Sequence, residues 1–326
     1  MTRSRIAAAF AVSAVLLLGA CGTTEKPADS GDDYAGAGPV TVTDSRGKDV
    51  TLDAPAKKVV ALEWGEAEML VTLGVMPVGV ADVKGYGTWV TAEKLNGSVA
   101  DVGTRAEPSV DSIVKLEPDL VVMEEGRSAS LVKQLEEHVP VVVAKGSDAS
   151  DNLGRMKDDF TMIAKAVGKD AEATSVLSDF DASLADAKKQ LAEAGAGATS
   201  FVMADGTAKG STVSIRPFGE GALVSQVAIQ LGLKNAWTGK VDKVWGLGQT
   251  DVEGLTTIKD KNVKFLYNAS DGKDVFADGL KDNAIWKSLP FVKAGNVHRL
   301  GDGIWTFGGP KSSLQFADEV VKVYRT

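Results

Sequence analysis

Short apolar runs alternate with stretches of helical period along most of this chain, and that alternation limits the folds open to it. "VVAL" (59–62) precedes the helix-like "EAEMLVTLG" (66–74). "VGVAD" (78–82), "SVADV" (98–102), "DLVVM" (119–123) and "VPVVVA" (139–144) follow, with helical patterns at 109–116 and 129–137 among them. Apolar strands separated by amphipathic helices build largely parallel sheets with crossover helices. Ahead of them, "VTVT" and "DVTL" flank the turn-like "DSRGK" and predict a hairpin.

A different texture begins near residue 152. Met156, Phe160, Ile163 and Val167 recur at helical spacing, Gly168 interrupts, and Val176, Phe180, Leu184 and Leu191 continue the period. Strand patterns then resume at "SFVMAD" (200–205), "TVSIR" (212–216), "VKFLYNA" (263–269) and "NVHRL" (296–300), before a helix-like "PKSSLQFADEVVKVY" at the end. The expected fold is therefore α/β: two lobes with mainly parallel sheets, 40–151 and 195–326, joined by a long helical segment, 152–194.

The amino end predicts export. Arg3 and Arg5 precede an apolar stretch from Ile6 to Leu18, of signal-peptide length and too short to span a bilayer. It ends in "LLGAC", which resembles a bacterial lipobox with Cys21 as the lipidated residue, so 1–21 is expected to be a lipoprotein signal. The chain's single cysteine cannot form an intrachain disulfide, and lipidation would consume its thiol. Residues 22–39 are small, polar and proline-punctuated, as in a flexible tether. The expected location is the outer face of the cell membrane, held by that lipid anchor. A net charge of −8 argues against nucleic acid as a partner.

Open α/β sheets bind ligands beyond the carboxyl ends of their strands, so the residues after each strand candidate matter most. Glu63-Trp64-Gly65 follows "VVAL"; "VKGYGTWV", with Tyr86 and Trp89, follows "VGVAD"; Arg105 follows "SVADV"; and Arg127, in "EEGR", follows "DLVVM". In the second half, "KVDKVWGLGQT" places Trp245 among glycines, Arg216 ends "TVSIR", and "GDGIWTFGGP" carries Trp305 and Phe307. Four of the six tryptophans thus lie on loops, where exposure is costly unless a ligand covers them. An aromatic cleft holding a fixed positive charge would explain the set. Trp237 and Trp286 read as structural.

Catalytic patterns are missing from the sequence. Two histidines, His138 and His298, are too few for a three-histidine metal site. "GDG" and "GEG" do not extend to a dinucleotide fingerprint, and neither G-x-S-x-G nor H-E-x-x-H occurs. The expectation is a binding protein, not an enzyme, with no metal site or cofactor of its own.

The segments "KKVVALEWGEAEMLVTLGVMPVGVAD", "DVGTRAEPSVDSIVKLEPDLVV", "LGLKNAWTG" and "WKSLPFVKAGNVHRLGDGIWTFGGPKSS" resemble the iron–siderophore substrate-binding lipoproteins of ABC importers. "YGTWV" and "GTRAEP" point to their ferric hydroxamate-binding, FhuD-type branch. The resemblance implies a class III periplasmic binding protein fold, acting as a monomer that delivers a ferric siderophore to permease subunits. It implies that Arg105 contacts the hydroxamate oxygens, that Trp64, Trp89, Trp245 and Trp305 line the cleft, and that the siderophore itself holds the iron. Arg127 and Phe307 stand where hydroxamate binders carry tyrosines. With Arg216, that change leaves a ferric citrate or other carboxylate chelate as an alternative cargo, and haem or cobalamin as further ones. An extracytoplasmic enzyme on the same scaffold is the alternative of another class. The resemblance also implies acidic docking residues for the permease: Glu68 on the first lobe and, since Gln226 occupies the matching position on the second, Glu220 nearby.

Overall fold

The computed structural model describes residues 38–126, 129–210 and 212–325. The chain enters through a hairpin, β1 (Val40–Thr43) and β2 (Asp49–Leu52), paired antiparallel across "DSRGK". Period-two patterning puts Val42, Val50 and Leu52 on its buried face.

Strands and helices then alternate as the patterning predicts: β3 (Val59–Ala61), α1 (Trp64–Thr72), β4 (Gly79–Val80), α2 (Val83–Trp89), β5 (Ala100–Asp101), α3 (Val110–Val114), β6 (Leu120–Glu124), α4 (Ala129–Glu136) and β7 (Val141–Ala144). The five strands are parallel in the order β5-β4-β3-β6-β7. Every residue of β3, β6 and β7 is buried, as expected of strands covered on both faces. Strand order reverses at β3, since β4 lies on one side and β6 on the other. A crevice opens at such a switch point beyond the strand ends; here Glu63 follows β3 just ahead of α1, and Glu124 ends β6.

The helical stretch consists of α5 (Asn152–Ala166) and α6 (Asp170–Glu193). The break falls at Gly168, whose φ of 68° favours glycine. The second sheet follows: β8 (Ser200–Lys209), β9 (Thr212–Phe218), α7 (Leu223–Gln230), β10 (Lys234–Asn235), β11 (Lys264–Tyr267), α8 (Ala284–Ser288), α9 (Pro290–Lys293), β12 (Val297–Arg299) and α10 (Pro310–Arg325). Its parallel order is β10-β8-β11-β12, with β9 antiparallel to β8. α10 packs against α6, α7 and α1, so the carboxyl-terminal helix reaches back to the first half of the chain.

Two local expectations change. "VKGYGTWV" forms the short helix α2 instead of a loop, capped by Asp82, whose carboxylate accepts from Gly85 N at 3.0 Å. "VEGLTTIK" (252–259), which reads as helix-like in the sequence, forms only one 3₁₀ turn at Gly254–Thr257. Trp237 and Trp286 are buried in the core, as expected.

Candidate ligand-binding site

Arg105 sits above the switch point. Its Nη1 donates to Glu63 Oε2 at 2.9 Å, and its guanidinium carbon lies 3.9 Å from the Trp64 ring centroid and 5.3 Å from that of Trp305. Carboxylate and indole faces together fix a planar cation more tightly than either would alone. Burial lowers the Arg105 pKa, while the charges of Asp82, Glu124 and Glu66 oppose that shift. The Arg105 side chain keeps 31% exposure, so the fixed cation still faces open space.

The Trp64 ring is itself positioned. Its Nε1 donates to the carbonyls of Ala81 and Asp82 at 3.1 and 3.2 Å. Asp82 adopts φ 57°, a left-handed conformation unusual outside glycine and of the kind found at functional sites. Trp64 is buried beneath Arg105 and acts as its platform.

An aromatic chain continues across the cleft. Trp305 meets Trp64 at 4.8 Å, Trp89 at 6.4 Å and Phe307 at 5.2 Å between ring centroids; Phe307 meets Trp245 edge-on at 5.3 Å. The loop carrying Trp305 and Phe307 is fastened at its base. Asn268 Nδ2 donates to Ile304 O at 2.8 Å, and Gly303 N to Ser270 Oγ at 2.8 Å. On the facing loop, Asp242 accepts from the amides of Val244, Trp245 and Leu247 at 2.8, 2.6 and 3.0 Å. Arg216 pairs with Asp205 and lies 5.6 Å from the Phe307 ring centroid.

The trough has two compartments that share Arg105, Arg216, Trp305 and Phe307 as their common wall. One, of about 440 Å³, runs past Trp64, Trp89, Asp205 and Lys273. The other, of about 250 Å³, lies on the Trp245 side and is strongly acidic: Glu63, Glu66, Glu124 and Asp159 line it. Burial, then the Asp159 charge, pushes Glu66 up to about 7, against its own backbone amide and Arg105. Burial, then the charges of Glu66 and Asp159, pushes Glu124 up to about 9, against Arg105. Asp159 accepts from the amides of Lys145 and Gly146 at 3.1 and 2.8 Å and pairs with Arg155 at 3.2 Å. Among the described residues no group of three histidine, cysteine, aspartate or glutamate side chains could hold a metal ion.

The structure thus gathers Arg105, Trp64, Trp89, Trp245, Trp305, Phe307 and Arg216 around one trough. Tyr86 does not join them. It turns into the core, 1% exposed, and its hydroxyl donates to Glu93 O at 2.9 Å. Helix formation at 83–89 places Tyr86 on the inner side, where a loop would have left it free. Arg127 and Cys21 lie outside the described residues.

Glu68 is also corrected. It is completely buried and cannot form a docking surface. Its carboxylate accepts from Gly309 N at 3.1 Å, Ser312 N at 2.8 Å and Ser312 Oγ at 2.5 Å, capping the amino end of α10. Glu220 is exposed, whereas Gln226 Oε1 accepts from Leu153 N at 2.6 Å and is committed to the start of α5.

Sequence reasoning missed the acidic wall, although a signal was present. Glu66 lies three, four and seven residues before Met69, Leu70 and Leu73, on the apolar stripe of α1. Asp159 lies between Met156 and Ile163 on the apolar stripe of α5. A carboxylate on a buried stripe marks a cavity or a partner.

A family model described as periplasmic binding protein matches residues 59–303. The iron(3+)-hydroxamate-binding protein FhuD of Escherichia coli (strain K12) is 28% identical over 264 residues, covering 79% of this chain and 84% of that protein. The Fe(3+)-citrate-binding protein YfmC of Bacillus subtilis (strain 168) is 30% identical over 313 residues, covering 95% and 93%. Among solved structures, the Fe3+–Desferal-bound siderophore-binding protein FhuD from Vibrio cholerae superposes with a TM-score of 0.74 at 28% identity, covering 83% of this chain and 98% of that one.

Proposed function

Because this chain belongs to the periplasmic binding protein family, we propose that it is the extracytoplasmic substrate-binding component of an ABC importer and that its cargo is a ferric siderophore of the hydroxamate class. The family is one of solute-binding proteins, and relatives named for hydroxamate and citrate chelates of iron match most of the chain.

The observation that carries the assignment is the seat of Arg105 at the floor of an indole-lined trough, held by Glu63 and stacked on Trp64. A ferric trihydroxamate presents partly negative oxygens around the metal and methylene chains outside them. Arg105 would donate to the oxygens, while Trp89, Trp245, Trp305 and Phe307 cover the chains. The chelator supplies every iron ligand, so the protein holds a compact organic cargo and not a bare ion. Micromolar to nanomolar affinity corresponds to about −8 to −12 kcal/mol, within reach of a few buried aromatics and charge-assisted hydrogen bonds.

Electrostatics favour hydroxamate over citrate. Arg105 and Arg216 each already face a carboxylate, Glu63 and Asp205, and further buried acids stand behind them. A polyanionic citrate chelate would meet repulsion that an uncharged trihydroxamate avoids.

Cys21 would anchor the protein as a lipoprotein on the outer face of the membrane, and the folded part would work as a monomer. With Glu68 buried, Glu220 is the remaining proposed acidic contact for the permease.

Titration of intrinsic tryptophan fluorescence against ferric trihydroxamate, ferric citrate, haem and cobalamin tests the cargo. Saturable quenching by the trihydroxamate at micromolar concentration or below is expected. Saturation by one of the others, with none by the trihydroxamate, would reject the hydroxamate assignment.

A further inference from the structure

Resting on the ferric-chelate assignment, we propose that the acidic compartment beside Trp305 and Phe307 is a subsite for an alkylammonium group, housing the amine-ended arm of a chelate whose metal-binding part lies against Arg105.

Two of its four acids already have cationic partners, Glu63 with Arg105 and Asp159 with Arg155. The other two, Glu66 and Glu124, are 5% and 8% exposed, and neither makes an ion pair or a side-chain hydrogen bond to another side chain among the described residues. A carboxyl group nine-tenths withdrawn from water and without an ion pair is disfavoured as an anion. Both line the cavity, so an incoming cation can reach them. A neutral hydroxyl or amide would satisfy a hydrogen bond but leave the charge uncompensated; a protonated amine satisfies both. A bare metal ion is the poorer fit, because the acids do not converge into a coordinating group.

The remaining walls suit an alkyl stem. Met69, Met156, Leu223 and Leu247 line the same cavity, giving apolar sides to a compartment whose polar groups are acids. Gly146 makes room for this arrangement. At its φ of 75° a Cβ would stand 2.0 Å from Glu124 Oε1, so any larger residue would occupy the space of the carboxyl group. The elevated pKa values of Glu66 and Glu124, about 7 and about 9, mark the same unmet demand for positive charge. Engagement of an ammonium would ionise them and release protons to solvent.

The test uses the full-length protein and two chelates at pH 7.5: ferric Desferal, whose tail ends in a primary ammonium, and its N-acetylated form, which lacks the charge. The wild type is expected to bind ferric Desferal at least tenfold more tightly. Its calorimetric heat should depend on the ionisation enthalpy of the buffer for that chelate alone. In the Glu66→Gln/Glu124→Gln variant the two affinities should fall within about twofold of each other. Equal wild-type affinities, or a preference that survives the double substitution, would overturn the subsite. The wild-type comparison decides the matter even if the double variant does not fold. Tight and equal binding of both chelates would sink the subsite alone, whereas failure to bind either would sink the hydroxamate assignment with it.

Discussion

Glu68 and Ser312 are 244 residues apart in sequence, yet the Glu68 carboxylate accepts both the backbone amide of Ser312, at 2.8 Å, and its hydroxyl, at 2.5 Å. One buried side chain on α1 thus satisfies the free amides at the start of the last helix. Burial raises the Glu68 pKa, while the Ser312 and Gly309 donors work to keep it charged.

Glu68→Ala should therefore act on stability and not on docking. Leaving buried donors unsatisfied costs about 1–3 kcal/mol, and each kcal/mol lowers Tm by roughly 2–4 °C in a protein of this size class. Thermal unfolding followed by circular dichroism checks this. An unchanged Tm would contradict the capping role of Glu68.

Arg105→Ala should weaken chelate binding at least tenfold, about 1.4 kcal/mol, with the far-ultraviolet spectrum unchanged. Arg105→Lys should restore little, because an ammonium cannot reproduce a planar cation held between Glu63 and Trp64. Fluorescence titration measures both, and wild-type affinity in either variant would remove Arg105 from the site.

Trp305→Ala should weaken binding further than Trp245→Ala. Trp305 packs against Trp64, Trp89 and Phe307, whereas Trp245 meets Phe307 at the margin. Edge-to-face aromatic pairs contribute about 0.5–1.5 kcal/mol each beyond area burial. Calorimetric Kd values for the two variants provide the comparison, and the reverse order would contradict the geometry.

Stability of the unliganded protein should fall as pH rises through the neutral range. Glu66 and Glu124 have folded-state pKa values of about 7 and about 9, above the ordinary carboxyl value of 4.5. The folded state therefore binds more protons than the unfolded one, and their contribution is present in full below about pH 4.5 and is lost on passing about 7 and then about 9. The charges acting on them are those of Asp159 and Arg105, and on Glu124 also that of Glu66, while Glu63 lines the same cavity. Glu124→Gln should show a shallower decline of Tm between pH 6 and pH 9 than the wild type. Parallel curves would show that Glu124 does not titrate in this window.

Much of the architecture was legible in the linear pattern, since a short apolar run has few ways to bury itself other than as a covered strand. β3, β7 and β11 fall within runs recognised as apolar, β6 and β8 begin in such runs and extend past them, and the helical break at Gly168 lies where the period lapses. Loop aromatics and Arg105 were legible for a related reason: they follow strand ends, where an open sheet presents its crevice. The directions of Tyr86 and Glu68 were not. Whether "VKGYGTW" coils into a helix, and whether the carboxylate of Glu68 meets water or the end of α10, depends on partners distant in sequence. The buried acids make the same point. Local pattern determines which residues are withdrawn from water, but the energy of a withdrawn charge depends on the groups that surround it in space. Only the folded chain set Glu66, Glu124 and Asp159 around one cavity and left the first two without an ion pair among the described residues.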